Sequence, residues 1–338
     1  MKIAVTGGLG YIGSHTAVEL INSGFEVEII DDLSNSEISV LQGISKITNT
    51  SPVFHQLDLK DKPKVIALFQ EKKYDGVIHF AASKAVGESQ QKPLEYYENN
   101  LSGLLNLLFA MQQSNTKNLI FSSSCTVYGQ ADSLPIDENA PLKTPESVYG
   151  KTKQIGETII QDITNISEIK SIILRYFNPI GAHPSAEIGE LPIGVPNNLI
   201  PYVTQTAAGI REKLSIWGND YPTPDGTCIR DYIYVMDLAS AHVKALQRLL
   251  FNQSESNVEF YNLGTGKGNT VLEVVETFAK VNNVKVPYQI ATRREGDITA
   301  AWANPKLAEE KLNWKATTSL EESLRTTWNW QQKLGKFK

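Results

Sequence analysis

Tyr149 and Lys153 are spaced i, i+4 in Tyr149-Gly150-Lys151-Thr152-Lys153, with Ser124 upstream, and these residue types can do acid–base chemistry together. On a helix, that spacing puts the phenol and the ammonium on one face, within reach of one small site. A free phenol, with a pKa of about 10, is a poor base at pH 7. A lysine and an oxidised nicotinamide ring beside it would favour the phenolate and make it usable as a general base. Tyr-x-x-x-Lys pairs recur on amphipathic helices, so the weight falls on what accompanies this one.

What accompanies it is a glycine-rich turn, Gly7-Gly8-Leu9-Gly10-Tyr11-Ile12-Gly13, directly after the apolar run at residues 2–6. A helical pattern follows, with Ile12, Ala17, Leu20 and Ile21 on one side and Gly24 at its close. The context is strand, turn, helix, as a dinucleotide site requires. The glycines fit as Gly8-x-Gly10-x-x-Gly13 or as Gly7-x-x-Gly10-x-x-Gly13. Either lets the backbone approach a pyrophosphate, which would meet the free amides near Tyr11 and Ile12. A second strand at residues 27–30 runs into Asp31-Asp32. An acid there accepts hydrogen bonds from the adenosine ribose and repels a 2′-phosphate, which predicts NAD rather than NADP. The other reading is that Asp31 or Asp32 starts a turn or caps a helix, and at least one of them is expected to do so.

The elements that must hold these groups alternate regularly. Strands are expected at residues 53–56, 77–80, 119–121 and 172–174, and helices at residues 63–71 and around Tyr149, with one long helix from Pro93 to about Gln113. The pattern predicts an α/β fold, a Rossmann-type doubly wound parallel sheet, with ligands at the carboxyl ends of its strands. Asp31, Asp58, Phe80, Ser124 and Tyr176 all fall at such ends. Beyond residue 177 the alternation lapses into Pro- and Gly-rich segments. The expectation is an NAD-binding domain over residues 1–176 and a smaller, less regular substrate domain over 177–338, interleaved at their boundary.

Composition sets the limits. With 338 residues and 41% hydrophobic content, the chain can bury a large core. A net charge of −5 argues against nonspecific nucleic-acid binding but permits an anionic small substrate, which needs only a few local arginines. Cys125 and Cys228 show neither a disulfide framework nor zinc spacing, so no metal is expected. The chain opens on a core strand without room for a signal peptide, and no apolar run approaches the roughly 20 residues of a membrane span. A soluble cytoplasmic protein that does not engage membranes is expected.

Seven segments together resemble the UDP-glucose 4-epimerases of the extended short-chain dehydrogenase/reductase family. They are Thr6-Gly7-Gly8-x-Gly10-Tyr11-Ile12-Gly13-Ser14-His15, Lys84-Ala85-Val86-Gly87-Glu88-Ser89, Lys92-Pro93-Leu94-x-Tyr96-Tyr97, Tyr149-x-x-x-Lys153, Arg175-Tyr176-Phe177-Asn178-Pro179, Pro196-Asn197-Asn198-Leu199 and Arg230-Asp231-Tyr232. The resemblance runs from Met1 to about Trp330. It implies that Tyr149 takes the proton from a sugar 4-hydroxyl while C4 gives hydride to NAD. Ser124 would share the hydrogen bond, and Lys153 would hold the nicotinamide ribose. The 4-keto sugar would then turn over and take hydride back on its other face, so that NAD stays resident.

The same resemblance places Gly7, Gly10, Tyr11, Ile12, Gly13, Asp31, Asn35, Asp58, Leu59, Phe80, Ala81, Lys84, Asn99, Ser122, Tyr149, Lys153, Tyr176 and Phe177 around the cofactor. Around a UDP-sugar it places Lys84, Ser124, Tyr149, Asn178, Asn198, Leu199, Tyr232 and Ala301, with Ser215, Ile216 and Trp217 beside the uracil. Arg230 and Arg294 would hold the diphosphate, near Asp297. Guanidinium forks suit phosphate oxygens, although read without the family either arginine is a solvated surface charge. Trp217 departs from the family's phenylalanine and could equally be core packing. Ala301 stands at a gate beside the sugar 2-substituent, where a tyrosine blocks an N-acetyl group; the small side chain implies that N-acetylated sugars are admitted too, unless Trp302 fills the space. A homodimer is also implied, with the apolar stretch from Leu101 to Leu108 as weak support, since that stretch could equally be buried within the monomer.

Three rival readings fit the residues less well. A 4,6-dehydratase needs an Asp-Glu pair after the serine, and Cys125 and Thr126 stand there instead, so elimination lacks its acid. A decarboxylase or uronate epimerase needs a cation for the 6-carboxylate, and none is evident in the sequence. A silent NAD-binding regulator would be free to lose Ser124, Tyr149 or Lys153, and all three are present.

Overall fold

Short β-branched and apolar runs alternate with amphipathic helices through the first half of the chain, and they form one sheet covered on both faces. The computed structural model describes residues 1–294 and 297–335. In chain order the strands Lys2–Thr6 (β1), Glu26–Asp31 (β2), Val53–Gln56 (β3), Gly76–His79 (β4), Asn118–Ser124 (β5) and Lys170–Tyr176 (β6) belong to this sheet. It also takes one strand from far downstream, Val258–Leu263. Every pairing in it is parallel. Alternate residues of β1 serve opposite faces: Ile3 and Val5 pack into one core and Ala4 into the other.

Helices Tyr11–Asn22 (α1) and Ser39–Thr48 (α2) cover the first face, and Lys62–Lys72 (α3) the second. The expected single helix from Pro93 is interrupted. After the short helix Val86–Gln91 (α4), the chain forms Pro93–Tyr97 (α5), a π-helical turn at Glu98–Ser102, then Gly103–Ser114 (α6). The wider turn carries Asn99 and Asn100. The Asn100 amide donates to Ser83 O at 3.0 Å and to Thr152 Oγ1 at 2.9 Å. Those side-chain bonds hold the irregular turn in register, and helical periodicity alone carries no sign of it. Val148–Ile166 (α7) completes the second face.

The remaining strands are short: Asn178–Ile180 (β7), Leu214–Trp217 (β8), Ile229–Arg230 (β9) and Tyr232–Tyr234 (β10), then Val258–Leu263 (β11), Asn269–Thr270 (β12), Tyr288–Ala291 (β13) and Ala300–Ala301 (β14). The large sheet runs β11-β6-β5-β4-β1-β2-β3, and the others form small sets, β10-β7, β12-β9-β14 and β13-β8. Leu199–Ala207 (α8), Val271–Asn282 (α10) and Leu320–Gly335 (α12) enclose a third core around Ile200, Phe278 and Leu324. Val235–Leu250 (α9) and Lys306–Leu312 (α11) pack back onto the first core. Among the described residues no helix is long and apolar enough to cross a membrane. Because β1 lies between β2 and β4, the strand order reverses beside it. The crevice at its carboxyl end is where a doubly wound sheet receives a ligand.

Candidate active site

The crevice begins at the turn after β1. Gly7 has φ +67°, and a Cβ there would lie 2.7 Å from the Ala81 amide nitrogen; one on Gly13 would collide with the Gly7 carbonyl. The helix that follows starts at Tyr11 behind Gly10, which supplies no side-chain cap, and its first turn holds no acid. Its leading amides and positive end therefore favour an anion. The closeness of the backbone leaves a cradle only glycines permit, and this fits a dinucleotide pyrophosphate.

Asp31 is buried at the end of β2. One oxygen accepts from Leu9 N (3.0 Å), and the other from Leu33 N (3.0 Å) and Ser36 Oγ (2.7 Å), which joins the two turns flanking the crevice. Asp32 accepts from Ser34 N and Oγ, the local turn role expected of at least one of this pair. Asn35 lies on the exposed loop beyond. Asp58 caps its own turn through Lys60 N (2.8 Å), while Leu59 is buried against Gly103. Phe80 packs on His242 with ring centroids 4.8 Å apart. Lys84 lies 3.6 Å from Glu190, Tyr11 donates to Gly181 O at 2.6 Å, and the Asn99 amide donates to Ser83 Oγ at 3.2 Å. Ile12 packs onto the first core, and Phe177 is buried beside Val127.

Two strand ends and the start of one helix bring the candidate reactive side chains together. Ser124 closes β5 opposite Tyr176 on β6, and its hydroxyl caps the next turn by accepting from Thr126 N at 3.2 Å. Ser147 caps α7 by accepting from Gly150 N, which sets Tyr149 in the first helical turn and Lys153 in the second. Ser124, Tyr149 and Lys153 are all buried. The Lys153 ammonium donates to Ser122 O at 2.7 Å and stands 5.9 Å from the Tyr149 ring centre. The hydroxyls of Ser122 and Tyr176 are hydrogen-bonded to each other.

Burial, with Tyr176 adding to it, raises the Tyr149 phenol well above its ordinary pKa, against the pull of Ser124. Burial also lowers Lys153 to about 8, resisted by the carboxylate of Glu157. The protein alone therefore holds Tyr149 as a neutral phenol at pH 7. A further positive charge at the site would draw it toward the phenolate.

The residues expected at the sugar nucleotide lie on the short strands. Arg230 reaches Asp297 at 3.4 Å, and the Arg294 guanidinium lies 5.5 Å from the Trp217 ring centre, with Trp217 41% exposed. Ile216 faces the third core, and Ser215 Oγ accepts from Gln289. Asn198 donates to Glu190 at 2.6 Å just ahead of Leu199, which opens α8. Asn178 N donates to Asp231 O at 2.9 Å, and Tyr232 packs in the third core. Ala301, only 2% exposed, sits in an apolar cluster with Val127 and Phe177; Trp302 turns instead toward Gly268. Glu295 and Gly296, within the Arg293-to-Asp297 motif, lie outside the described residues. Among the described residues no cluster could hold a metal ion.

Two buried acids escaped the sequence reading. Asp231 accepts from Thr265 N and Oγ1, Gly266 N and Ala303 N, and so locks the Arg230-Asp231-Tyr232 segment to two loops. Glu157 pairs with Arg175. The available signal was Glu157 one further i+4 step beyond Lys153.

A family model described as GDP-mannose 4,6 dehydratase matches residues 4–327. UDP-glucose 4-epimerase from Bacillus subtilis (strain 168) is 50% identical over 332 residues, covering 98% of this chain and 97% of that protein. A crystal structure of UDP-glucose 4-epimerase from Stenotrophomonas maltophila with bound NAD and formylated UDP-arabinopyranose superposes with TM-score 0.96 at 47% identity, covering all of both chains. The UDP-Glc/GlcNAc 4-epimerase of Campylobacter jejuni does so with TM-score 0.84 at 36% identity, covering 98% of this chain and 99% of that one.

Proposed function

This chain belongs to the UDP-glucose 4-epimerase family, and we propose that it interconverts UDP-galactose and UDP-glucose at C4 through a 4-keto sugar, with NAD resident in the crevice. The observation that carries the reading is the assembly of Ser124, at the end of β5, with Tyr149 and Lys153, in the first two turns of α7, in a sheet that also carries a glycine cradle. NAD bound there would supply the hydride acceptor and donor. Tyr149, drawn to the phenolate by the Lys153 ammonium together with the positive charge an oxidised nicotinamide would add, takes the proton of the 4-hydroxyl and gives it back once the sugar has turned. Ser124 donates to the carbonyl oxygen that forms between the two steps. Arg230 and Arg294 hold the diphosphate and Trp217 faces the uracil, leaving the sugar free to rotate about its link to the phosphate.

Elimination is the activity named in the family model's description, and it needs a carboxylic acid beside Ser124. Cys125 and Thr126 occupy the turn there, and burial pushes the Cys125 thiol up to about 12. Neither replaces that acid.

We assign cofactor binding chiefly to residues 1–176 and sugar-nucleotide binding to 177–338. Leu104, Leu107 and Leu108 are buried in the chain's own core, so support for a homodimer is left to Leu105 and Phe109 on the outer face of α6, each about two-fifths exposed. A cytoplasmic location suits the free thiols of Cys125 and Cys228.

Incubation with UDP-galactose and no added NAD tests the reading: UDP-glucose is expected, while a dehydrated keto sugar or no product overturns it. Denaturing the purified protein should release about one NAD per chain, the value for a single cradle; NADP in its place would refute the assignment to Asp31. The small side chain at position 301 supports a second activity on UDP-N-acetylgalactosamine and UDP-N-acetylglucosamine. Ala301→Tyr should remove that activity and spare the first. Failure of the unaltered enzyme to convert UDP-N-acetylglucosamine, with UDP-galactose turned over readily, ends that extension.

A further inference from the structure

Behind the reactive side chains lies a second buried constellation, joined to them residue by residue. Glu157 is 1% exposed and one helical turn beyond Lys153 on α7. Its carboxylate accepts two bonds from Arg175, at 3.0 Å from Nε and 2.6 Å from a terminal nitrogen, and a third from Ser123 Oγ at 2.5 Å. The other terminal nitrogen of Arg175 donates to Tyr128 Oη at 3.0 Å, and Tyr128 donates to Asn262 at 2.8 Å. The guanidinium also lies 4.6 Å from the Phe260 ring centre. Ser123 precedes Ser124, Arg175 precedes Tyr176, and the two pairs stand in register across β5 and β6. One ion pair thus fastens α7, the ends of β5 and β6, and the turn after Ser124.

We propose that Glu157 and Arg175 are positioning residues for this reaction: they set α7 against β5, and the Glu157 carboxylate holds Lys153 as the ammonium that makes the Tyr149 phenolate accessible. A buried ion pair costs desolvation that its Coulomb attraction only partly offsets, so stability alone is a poor reason for one here. Its place one turn behind the lysine supplies another. When Lys153 and Tyr149 share one proton, an anion behind the lysine favours ammonium with phenolate over amine with phenol.

The other groups facing Lys153 do not offer this. His79 on β4 is held neutral by burial, with a pKa of about 3. Burial raises Tyr176 on β6 to about 12, and Ser122 contributes only its carbonyl oxygen. Glu157 is thus the one anion acting on Lys153 among the described residues.

The inference rests on the epimerase reading, but its first test needs no sugar. The near-ultraviolet phenolate absorbance of the purified, NAD-loaded protein is titrated and that of its Tyr149→Phe counterpart subtracted. At a pH of about 8, Glu157→Gln should cut the Tyr149 signal at least about twofold, while NAD content is kept. Because Glu157→Gln leaves the Arg175 charge unpaired and could weaken folding, Glu157→Gln/Arg175→Met provides a variant with neither charge. It should show the same loss. With UDP-galactose, either folded variant should lose about tenfold or more in kcat with KM within about threefold, as loss of an interaction made only in the transition state requires.

A folded variant that keeps the wild-type phenolate titration and kcat overturns the inference. So does a kcat loss with an unmoved titration, which would mark the pair as structural. If the unaltered protein leaves UDP-galactose untouched, the epimerase reading fails on its own account, and the titration still decides the role of Glu157.

Discussion

On the proposed reading, the molecule addresses two diphosphates in opposite ways. At the Gly7-to-Gly13 turn the approach is through backbone: side chains are excluded, and helix amides face the crevice from the end of a strand buried from Ile3 to Thr6. At the sugar-nucleotide end the groups are long side chains on strands of two to four residues and nearby loops, with Arg230 leaning on Asp297 and Arg294 resting over Trp217. A backbone cradle is set by sterics and tolerates no added atom. A pair of arginines can swing and can survive the loss of one. The first suits a cofactor that stays, the second a substrate that must come and go and whose sugar must turn between visits of the hydride.

The largest effect is expected where the two regions meet. Tyr149→Phe removes one oxygen and retains the ring, so folding and NAD content should persist while kcat falls roughly 10²- to 10⁴-fold. Near-normal turnover would remove Tyr149 from the mechanism and leave the two regions without their junction.

Acid should separate the regions by stability. His15, His79 and His242 are buried on α1, β4 and α9, and burial lowers them to about 3, 3 and 4. Nε2 of His15 and of His242 has no partner among the described residues. Each histidine is neutral when folded and protonates near its ordinary value of about 6.5 when unfolded. The unfolded chain therefore binds protons first as pH falls. The contribution is intact above about 6.5 and declines below it, by roughly 2 kcal/mol for each histidine at pH 5. Thermal unfolding followed from pH 7 to pH 5 checks this, and His242→Leu should flatten the slope. A midpoint that does not move across that range would show the sheet half less sensitive than its buried histidines require.

A smaller effect is expected at the cradle. Gly13→Ala drives a Cβ into the Gly7 carbonyl. Affinity for NAD should drop at least about tenfold, roughly 1.4 kcal/mol, so that less NAD is released per chain while the protein still folds. Full NAD content in this variant would mean that the backbone can yield and that the contrast between the two diphosphate sites is overdrawn.

The smallest change belongs to the swinging side. Arg294 is exposed, so Arg294→Ala should raise KM for UDP-galactose by about three- to tenfold, in line with roughly 1 kcal/mol from a solvated charge. The kcat and NAD content should hold. A collapse of kcat would give Arg294 a role in the chemical step itself.

Much of this was legible in one dimension. The strand, the glycine turn, the helix after it and the acid at the end of β2 are neighbours in sequence, and their spacing follows from backbone geometry. Tyr149 and Lys153 share a face through helical periodicity alone. Asp31 shows the edge of such reading: the sequence posed ribose contact and turn-making as alternatives, and the structure shows its carboxylate bonded to Leu9, Leu33 and Ser36.

The π-helical turn at Glu98–Ser102 was not legible, because its reason is the contact of Asn100 with Ser83 and Thr152, partners from other elements. Asp231 was visible as a letter in a motif, but its donors lie on loops dozens of residues downstream. Glu157 and Arg175 meet because β6 returns parallel to β5 beneath α7. By itself, then, the sequence determined the local machinery, a cradle, a phenol and an ammonium, since each depends on interactions a few residues long. Which buried charge stands behind that ammonium, and which strand ends face each other across the crevice, only the tertiary structure decided. Parallel pairing joins segments that share no local period, and the desolvated contacts it creates have no trace in spacing.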